Sequence, residues 1–206
     1  MEVRKKNDII IGNVFDRFRS KNPIVKLIMN RFIKCFLNLI SPLTFKNIIE
    51  IGAGEGHIIN IIKNLKKKEV TIFASDISID ILKDDNMPRE ENIFLIVFDV
   101  NNTPLKQNTF DLVVCSEVLE HLKEVDNTLQ EIKRISKKYI LFSVPREPIW
   151  RFLNMVRLRY LKDLGNTPGH IQHWSKKQFI NLIKSKFKII KTYSPIPSTI
   201  ILCEKQ

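Results

Sequence analysis

The stretch Asn47-Ile-Ile-Glu-Ile-Gly-Ala-Gly-Glu-Gly-His57 decides how this chain is read. Asn47–Ile51 is rich in β-branched residues and predicts a buried strand. Glycines at alternate positions then interrupt it, and His57–Leu65, apolar at helical spacing, predicts a helix. A strand that runs through glycines into a helix lets the backbone approach a ligand and offers it the free N–H groups of the helix start. The order is G-x-G-x-G, so the third glycine comes one residue earlier than in a nicotinamide-binding G-x-G-x-x-G, and His57 stands in the last glycine's place. Alone, the loop is either a ligand cradle or a plain strand–helix turn.

The segments that follow set it in context. Val70–Ser75 is a second strand ending at Asp76, and Ile93–Phe98 is a third ending at Asp99. Phe110–Cys115 is a fourth, followed by a helix from about Lys123 to Ser136, and Tyr139–Val144 is a fifth, stopped by Pro145. Near-continuous apolar strands alternating with helices predict a doubly wound, Rossmann-like α/β sheet, mostly parallel, with helices on both faces. Ile149–Leu164 then reads as helical and Gly165-Asn-Thr-Pro-Gly169 as a turn. Ser175 reads as the N-cap of a helix over Lys176–Lys186. Lys188–Tyr193 and Thr199–Glu204 complete seven strands and predict an antiparallel C-terminal edge.

The first 46 residues are expected to be mainly helical, a lid whose Lys26, Asn30, Lys34 and Asn38 form a narrow polar stripe on an apolar helix. The chain thus reads as one domain over 1–206: a helical cap (1–46), a cofactor-binding core (47–144), an acceptor-side insertion (145–175) and a C-terminal helix with strands (176–206).

Three acids stand at the ends of successive strands. Glu50 closes the first, Asp76 follows Gly52 by 24 residues, and Asp99 is the next around the same crevice. Ligands of open α/β sheets bind at these carboxyl ends, and a carboxylate beside a glycine loop suits the two hydroxyls of a ribose. Each acid alone is equally a solvated turn residue or a helix cap. Together they favour a nucleoside site.

The succession E-x-G-x-G-x-G, Asp76, Asp99 and Phe110-Asp-Leu-Val-Val-Cys-Ser-Glu-Val-Leu-Glu-His121 resembles the class I S-adenosylmethionine-dependent methyltransferases. The small-molecule branch of ubiquinone/menaquinone type is the most similar. The resemblance covers residues 45–144, with SEVLEHL its most specific piece, and continues loosely through Gly169-His-Ile-Gln-His-Trp-Ser175. It implies S-adenosyl-L-methionine as cofactor. Gly52, Gly54 and Gly56 would pass under its methionine part, and Glu50 would orient that end. Asp76 would bind the ribose, Ile77 would pack on adenine, and Asp99 with the Val100 backbone would reach the adenine amino group. Ser116 and Glu117 would border the transferring methyl.

Enzymes of this class that methylate exocyclic base amines carry an Asn/Asp-Pro-Pro-aromatic tetrad where Cys115-Ser-Glu-Val118 stands here. Cys115 lacks the preceding proline of the cytosine-C5 enzymes, Val114 taking that place, so a small strand-end residue is the plainer reading. Methyl transfer from a sulfonium is an in-line displacement that mainly needs alignment, with a base only for a nucleophile that holds its proton at neutral pH. His170 and His173 are the candidate bases, because histidine titrates nearest pH 7. The alternative is that both fix their loop by hydrogen bonds. His121 reads as a packing or capping residue, and His57 as a neighbour of the cofactor carboxylate or an exposed side chain.

Composition bounds the rest. The chain has 206 residues, 34 Lys+Arg against 22 Asp+Glu, a net charge of +12, and only three cysteines, none at paired spacing. That excludes a disulfide framework and a cysteine zinc site, and no metal site is read from the sequence. No signal-peptide core or transmembrane span is read, so a cytoplasmic location is expected. The charge is uneven: residues 1–46 carry 10 basic and 3 acidic groups, 47–144 carry 12 and 16, and 145–206 carry 12 and 3. Drift in an Ile-, Lys- and Asn-rich composition explains part of the excess. The basic flanks hint at an anionic or lipid-like small-molecule acceptor, or peripheral contact with an anionic membrane, more than at nucleic acid. An RNA acceptor held by those flanks, and a non-catalytic cofactor-binding interaction module, are the alternatives. The sequence does not reveal an oligomeric state.

Overall fold

The computed structural model describes residues 17–66 and 70–206, with the backbone of Lys5–Lys6 and Ile9–Ile10. The two short segments pair antiparallel with each other, so these four residues are extended and not helical as expected. The rest of the expectation for 1–16 lies outside the described residues.

Seven strands form one sheet: β1 Asn47–Ile51, β2 Thr71–Asp76, β3 Ile93–Val97, β4 Phe110–Ser116, β5 Ser136–Pro145, β6 Phe187–Tyr193 and β7 Ser198–Lys205. Their order across the sheet is 3-2-1-4-5-7-6. β1 to β5 are mutually parallel, and β7 runs antiparallel to both its neighbours. The antiparallel C-terminal pair therefore forms one end of the sheet as expected. Its last strand enters one place in from the edge, leaving β6 outermost.

Alternation of side chains across the pleat divides the core into two layers. Ile48, Leu112, Leu141 and Leu202 point to one face, where α1 (Pro23–Ile40) and α2 (His57–Lys66) supply Phe36, Ile40, Ile59 and Ile62. Ile49, Val113, Phe142 and Cys203 point to the other, against α4 (Val125–Ile135) and α6 (Lys176–Lys184). A short α3 (Ile79–Leu82) follows β2. Both faces are covered, which is why these strands are apolar along their whole length.

Local chemistry fixes the element ends. The Asn22 side chain accepts from the Ile24 and Val25 amides with Pro23 at the first turn of α1, and Lys26, Asn30, Lys34 and Asn38 are exposed on that helix. Ser175 and Gln178 form a reciprocal capping box at α6.

The helix read over Ile149–Leu164 is shorter: α5 spans Ile149–Val156, and Leu158, Tyr160 and Leu164 take left-handed backbone. The chain folds back because α5 binds the returning backbone. The Arg151 guanidinium donates to the Leu164 and Asp163 carbonyls, and buried Asn154 donates to the Gly165 carbonyl at 2.9 Å. Gly165 lies so close to α5 that a Cβ there would meet the Arg151 carbonyl. No helix among the described residues is long and apolar enough to cross a membrane.

Candidate active site

The carboxyl ends of β1, β2 and β4 form the floor of a cavity of about 860 Å³. Its floor begins at the glycine loop. Gly52, Gly54 and Gly56 all take positive φ, which L side chains reach only at a cost. A Cβ on Gly52 would run into Val118, whereas nothing stands within 4 Å of a Cβ built on Gly54. The backbone at Gly54 therefore borders open space on the cavity side. The loop is tied to β2 by the Ala53 amide on the Ser75 carbonyl at 2.8 Å and by the Ser75 hydroxyl on the Glu50 carbonyl at 2.8 Å.

Asp76 bridges the loop and its own turn. One oxygen accepts from the Gly54 amide and the other from the Ser78 amide, each at 3.1 Å, which leaves lone pairs on both for a ligand. Burial pushes its carboxyl above the usual range, against the pull of those amides. Glu50 is 2% exposed, and its Oε2 has no hydrogen-bond partner among the described residues. Burial first, then the Asp76 charge, raises its pKa well above that of an ordinary glutamate. Asp99 is exposed and caps the short helix Val100–Asn102 by accepting from the Asn101 amide at 2.9 Å.

At the end of β4 the backbone of Glu117 takes φ +58, an uncommon conformation for a residue with a side chain. This turn aims Glu117 at a polar chain: Glu117 accepts from the Ser143 hydroxyl at 3.2 Å, and Ser143 lies 2.8 Å from the Ser116 hydroxyl. The Arg17 guanidinium donates twice to the other Glu117 oxygen at 3.2 Å and lies 4.8 Å above the Trp150 ring.

The next turn, Leu119–His121, is stitched to the loop before α6. The amides of Ile171 and Gln172 both donate to the Glu120 carbonyl at 2.9 and 3.0 Å, and the Gln172 side chain donates to the Leu122 carbonyl. His121 meets the Gly169 carbonyl through Nδ1 at 3.0 Å. Two motifs some 50 residues apart in sequence thereby share one wall. His170 is buried there, edge-on to His121 and stacked beside Trp150, whose Nε1 donates to Thr167 at 2.8 Å. Burial, reinforced by the His121 imidazole, pushes His170 down to about 3, and burial lowers His121 as well.

Of the residues read from the sequence, Glu50, Gly52, Gly54, Asp76, Ile77, Asp99, Val100, Ser116, Glu117 and His170 all line the cavity. Gly56 stands behind the loop against Met87. His173 is exposed, bonded to Asn166 at 2.8 Å, and is not among the lining residues. His121 lines the cavity in addition to packing, and His57 stacks on Phe18 with ring centroids 4.5 Å apart. The sequence reading did not single out Arg17, Glu120, Ser143 or Trp150. Ser143 carried one signal, since it lies near the carboxyl end of β5 and pairs in register with Ser116, the last residue of β4.

A sheet of this order, with a glycine cradle after β1 and a carboxylate after β2, defines a Rossmann-like methyltransferase fold. Residues 25–186 match the methyltransferase domain family, and the chain belongs to it, in the class I S-adenosylmethionine-dependent group. It is 34% identical over 120 residues to an uncharacterized protein of Methanocaldococcus jannaschii, spanning 55% of this chain and 49% of that one. It is 24% identical over 144 residues to the ubiquinone/menaquinone biosynthesis C-methyltransferase UbiE of Rickettsia prowazekii, covering 64% of this chain and 58% of that one. The chain thus spans about half the length of these curated relatives. The structure of magnesium protoporphyrin IX methyltransferase from Synechocystis, which holds S-adenosylhomocysteine, superposes with a TM-score of 0.64 over 93% of this chain and 94% of that one at 16% identity.

S-adenosyl-L-methionine is the cofactor of this class, and the residues present fit it. Gly54 leaves a cradle that a Cβ would partly fill, Glu50 Oε2 is a buried acceptor without a partner among the described residues, and Asp76 keeps lone pairs beside the loop.

Proposed function

We propose that this chain is a small-molecule methyltransferase whose acceptor is apolar over much of its surface and carries an anionic or other polar group. Bound S-adenosyl-L-methionine supplies an electrophilic methyl group. Glu50 and the glycine loop hold its methionine end, Asp76 takes the ribose hydroxyls, and Ile77, Asp99 and Val100 receive the adenine. Ser116 and Glu117 border the methyl and are themselves fixed by Ser143 and Arg17.

The cavity carries this reading. Its volume of about 860 Å³ lies in the upper part of the ~300–1,000 Å³ range of small-molecule sites. Its floor is polar, and its far wall is built by apolar residues of α1 and α5, among them Val25, Ile28, Met29, Leu153 and Val156. We assign this wall, with 145–175, to the acceptor. Arg157, at the C-terminal end of α5, also lines the cavity, which suits an anionic group. Of the two candidate bases, His170 lines the cavity, while His173 faces solvent and is given no part. A cytoplasmic location accords with three free cysteines.

The test is release of S-adenosylhomocysteine from S-adenosyl-L-methionine on addition of a panel of small amphipathic acceptors, anionic and neutral, and of RNA. Turnover with small acceptors that outpaces turnover with RNA is expected. Turnover with RNA alone would refute the reading.

A further inference from the structure

Glu120, His121 and His170 each offer one ligand atom, and these three atoms lie within 4.8 Å of one another on the cavity wall. We propose that they form a binding site for a divalent first-row transition-metal ion, open toward the acceptor side of the cavity.

The argument begins with charge. Arg17, the nearby cation, is held by Glu117. Glu120 is 1% exposed, and neither of its carboxylate oxygens has a hydrogen-bond partner among the described residues. A buried carboxyl without a hydrogen-bond donor is neutralised either by a proton or by a bound cation. A metal ion would do so with the two adjacent imidazoles.

Local geometry prepares the site. The carbonyl of Gly169 can only accept, so His121 Nδ1 carries the proton, and the ring's lone pair resides on Nε2. A histidine held through one nitrogen by a backbone carbonyl is the usual support for a metal-ligating ring. The Ile171 and Gln172 amides on the Glu120 carbonyl fix the loop that carries His170. The donor set is therefore assembled by backbone bonds before any ion arrives. Two imidazoles and one carboxylate select zinc, cobalt or manganese over magnesium and calcium, which prefer all-oxygen sites. Three protein ligands leave a coordination position for an exogenous oxygen. On the function proposed above, that oxygen belongs to the acceptor, and the ion would position it and make its proton more acidic.

The test uses the full chain stripped with EDTA, and Zn²⁺ or Co²⁺ alone as the probe. Calorimetry should show one equivalent of Zn²⁺ per chain at micromolar Kd or tighter, and Co²⁺ should give visible absorption bands that shift when acetohydroxamate is added. Glu120→Gln, His121→Ala and His170→Ala should each weaken Zn²⁺ at least tenfold, while His173→Ala should leave it unchanged. Thermal melting and S-adenosylhomocysteine titration of every variant establish that it folds. His170→Ala, in a loop, leaves the sheet untouched. Absence of Zn²⁺ and Co²⁺ uptake by the parent chain, or equal affinity in all four variants, overturns the site. Unshifted Co²⁺ bands overturn its open position. S-adenosylhomocysteine affinity of the metal-free parent reports on the cofactor reading separately, so either claim can fail alone.

Discussion

Replacing Gly52 or Gly54 by alanine separates two reasons for a glycine. Both take left-handed backbone, with φ +69 and +53. That conformation costs an alanine about 1–2 kcal/mol at either position. The surroundings differ. At Gly52 the new methyl would run into Val118, a β-branched side chain packed against the second core layer and stiff about χ1. Overpacking of this kind adds about 1–3 kcal/mol. At Gly54 the methyl meets nothing within 4 Å. Gly54→Ala should therefore lower Tm by about 2–8 °C, since 1 kcal/mol corresponds to about 2–4 °C in a domain of this size. Gly52→Ala should lower it by about twice as much. Binding should diverge as well, because the Gly54 methyl occupies the cradle and should weaken S-adenosylhomocysteine at least tenfold in a folded protein. Thermal unfolding followed by circular dichroism and calorimetric titration provide the readouts. Val118→Ala in the Gly52→Ala background should recover the overpacking part, a coupling of about 1–3 kcal/mol. Equal Tm losses for the two glycines, or no coupling to Val118, would refute the reasoning.

Two further predictions concern stability. Asp111 accepts from the Lys46 and Asn47 amides at 2.8 and 2.9 Å and pairs with Lys137. Burial raises its carboxyl, but those amides and Lys137 outweigh it and hold the pKa below the usual aspartate range. The lowered value means that its contribution is complete above the unfolded pKa of about 3.9 and is lost as pH falls through the folded value. Asp111→Asn should cost about 1 kcal/mol at pH 7 and flatten that acid limb in urea titrations across pH 2–7. Ser175→Ala, which opens the capping box of α6, should cost about 0.5–2 kcal/mol by the same assay.

Much of the fold was legible because its strands are buried on both faces. Near-continuous apolar runs place β1 to β5, and period-3.6 patterns place α2, α4 and α6, within a few residues. The order of β6 and β7 was not legible, because a hairpin pairs the same way whichever strand is outermost. The break in α5 was missed because it depends on side chains, Arg151 and Asn154, capturing a returning backbone. Positions fixed to strand ends, Glu50, Asp76, Asp99 and Ser116, could be placed at the cavity from the sequence. The place of His173 outside it could not, because the two histidines of one loop differ only in which way the loop faces. Glu120 was passed over because SEVLEHL does not show which of its acids is paired. Arg17 takes Glu117 across 100 residues of sequence, and only the folded chain reveals it.

The central claim is that the crevice over β1 and β2 binds S-adenosyl-L-methionine through Asp76. Calorimetric titration of the purified chain and of Asp76→Ala tests it most directly. The parent should bind one equivalent of S-adenosyl-L-methionine, and loss of a charged acceptor for two hydroxyls, at about 1.5–3 kcal/mol each, should weaken it at least 100-fold. Unchanged affinity in a folded Asp76→Ala chain, or no binding by the parent, would contradict the account.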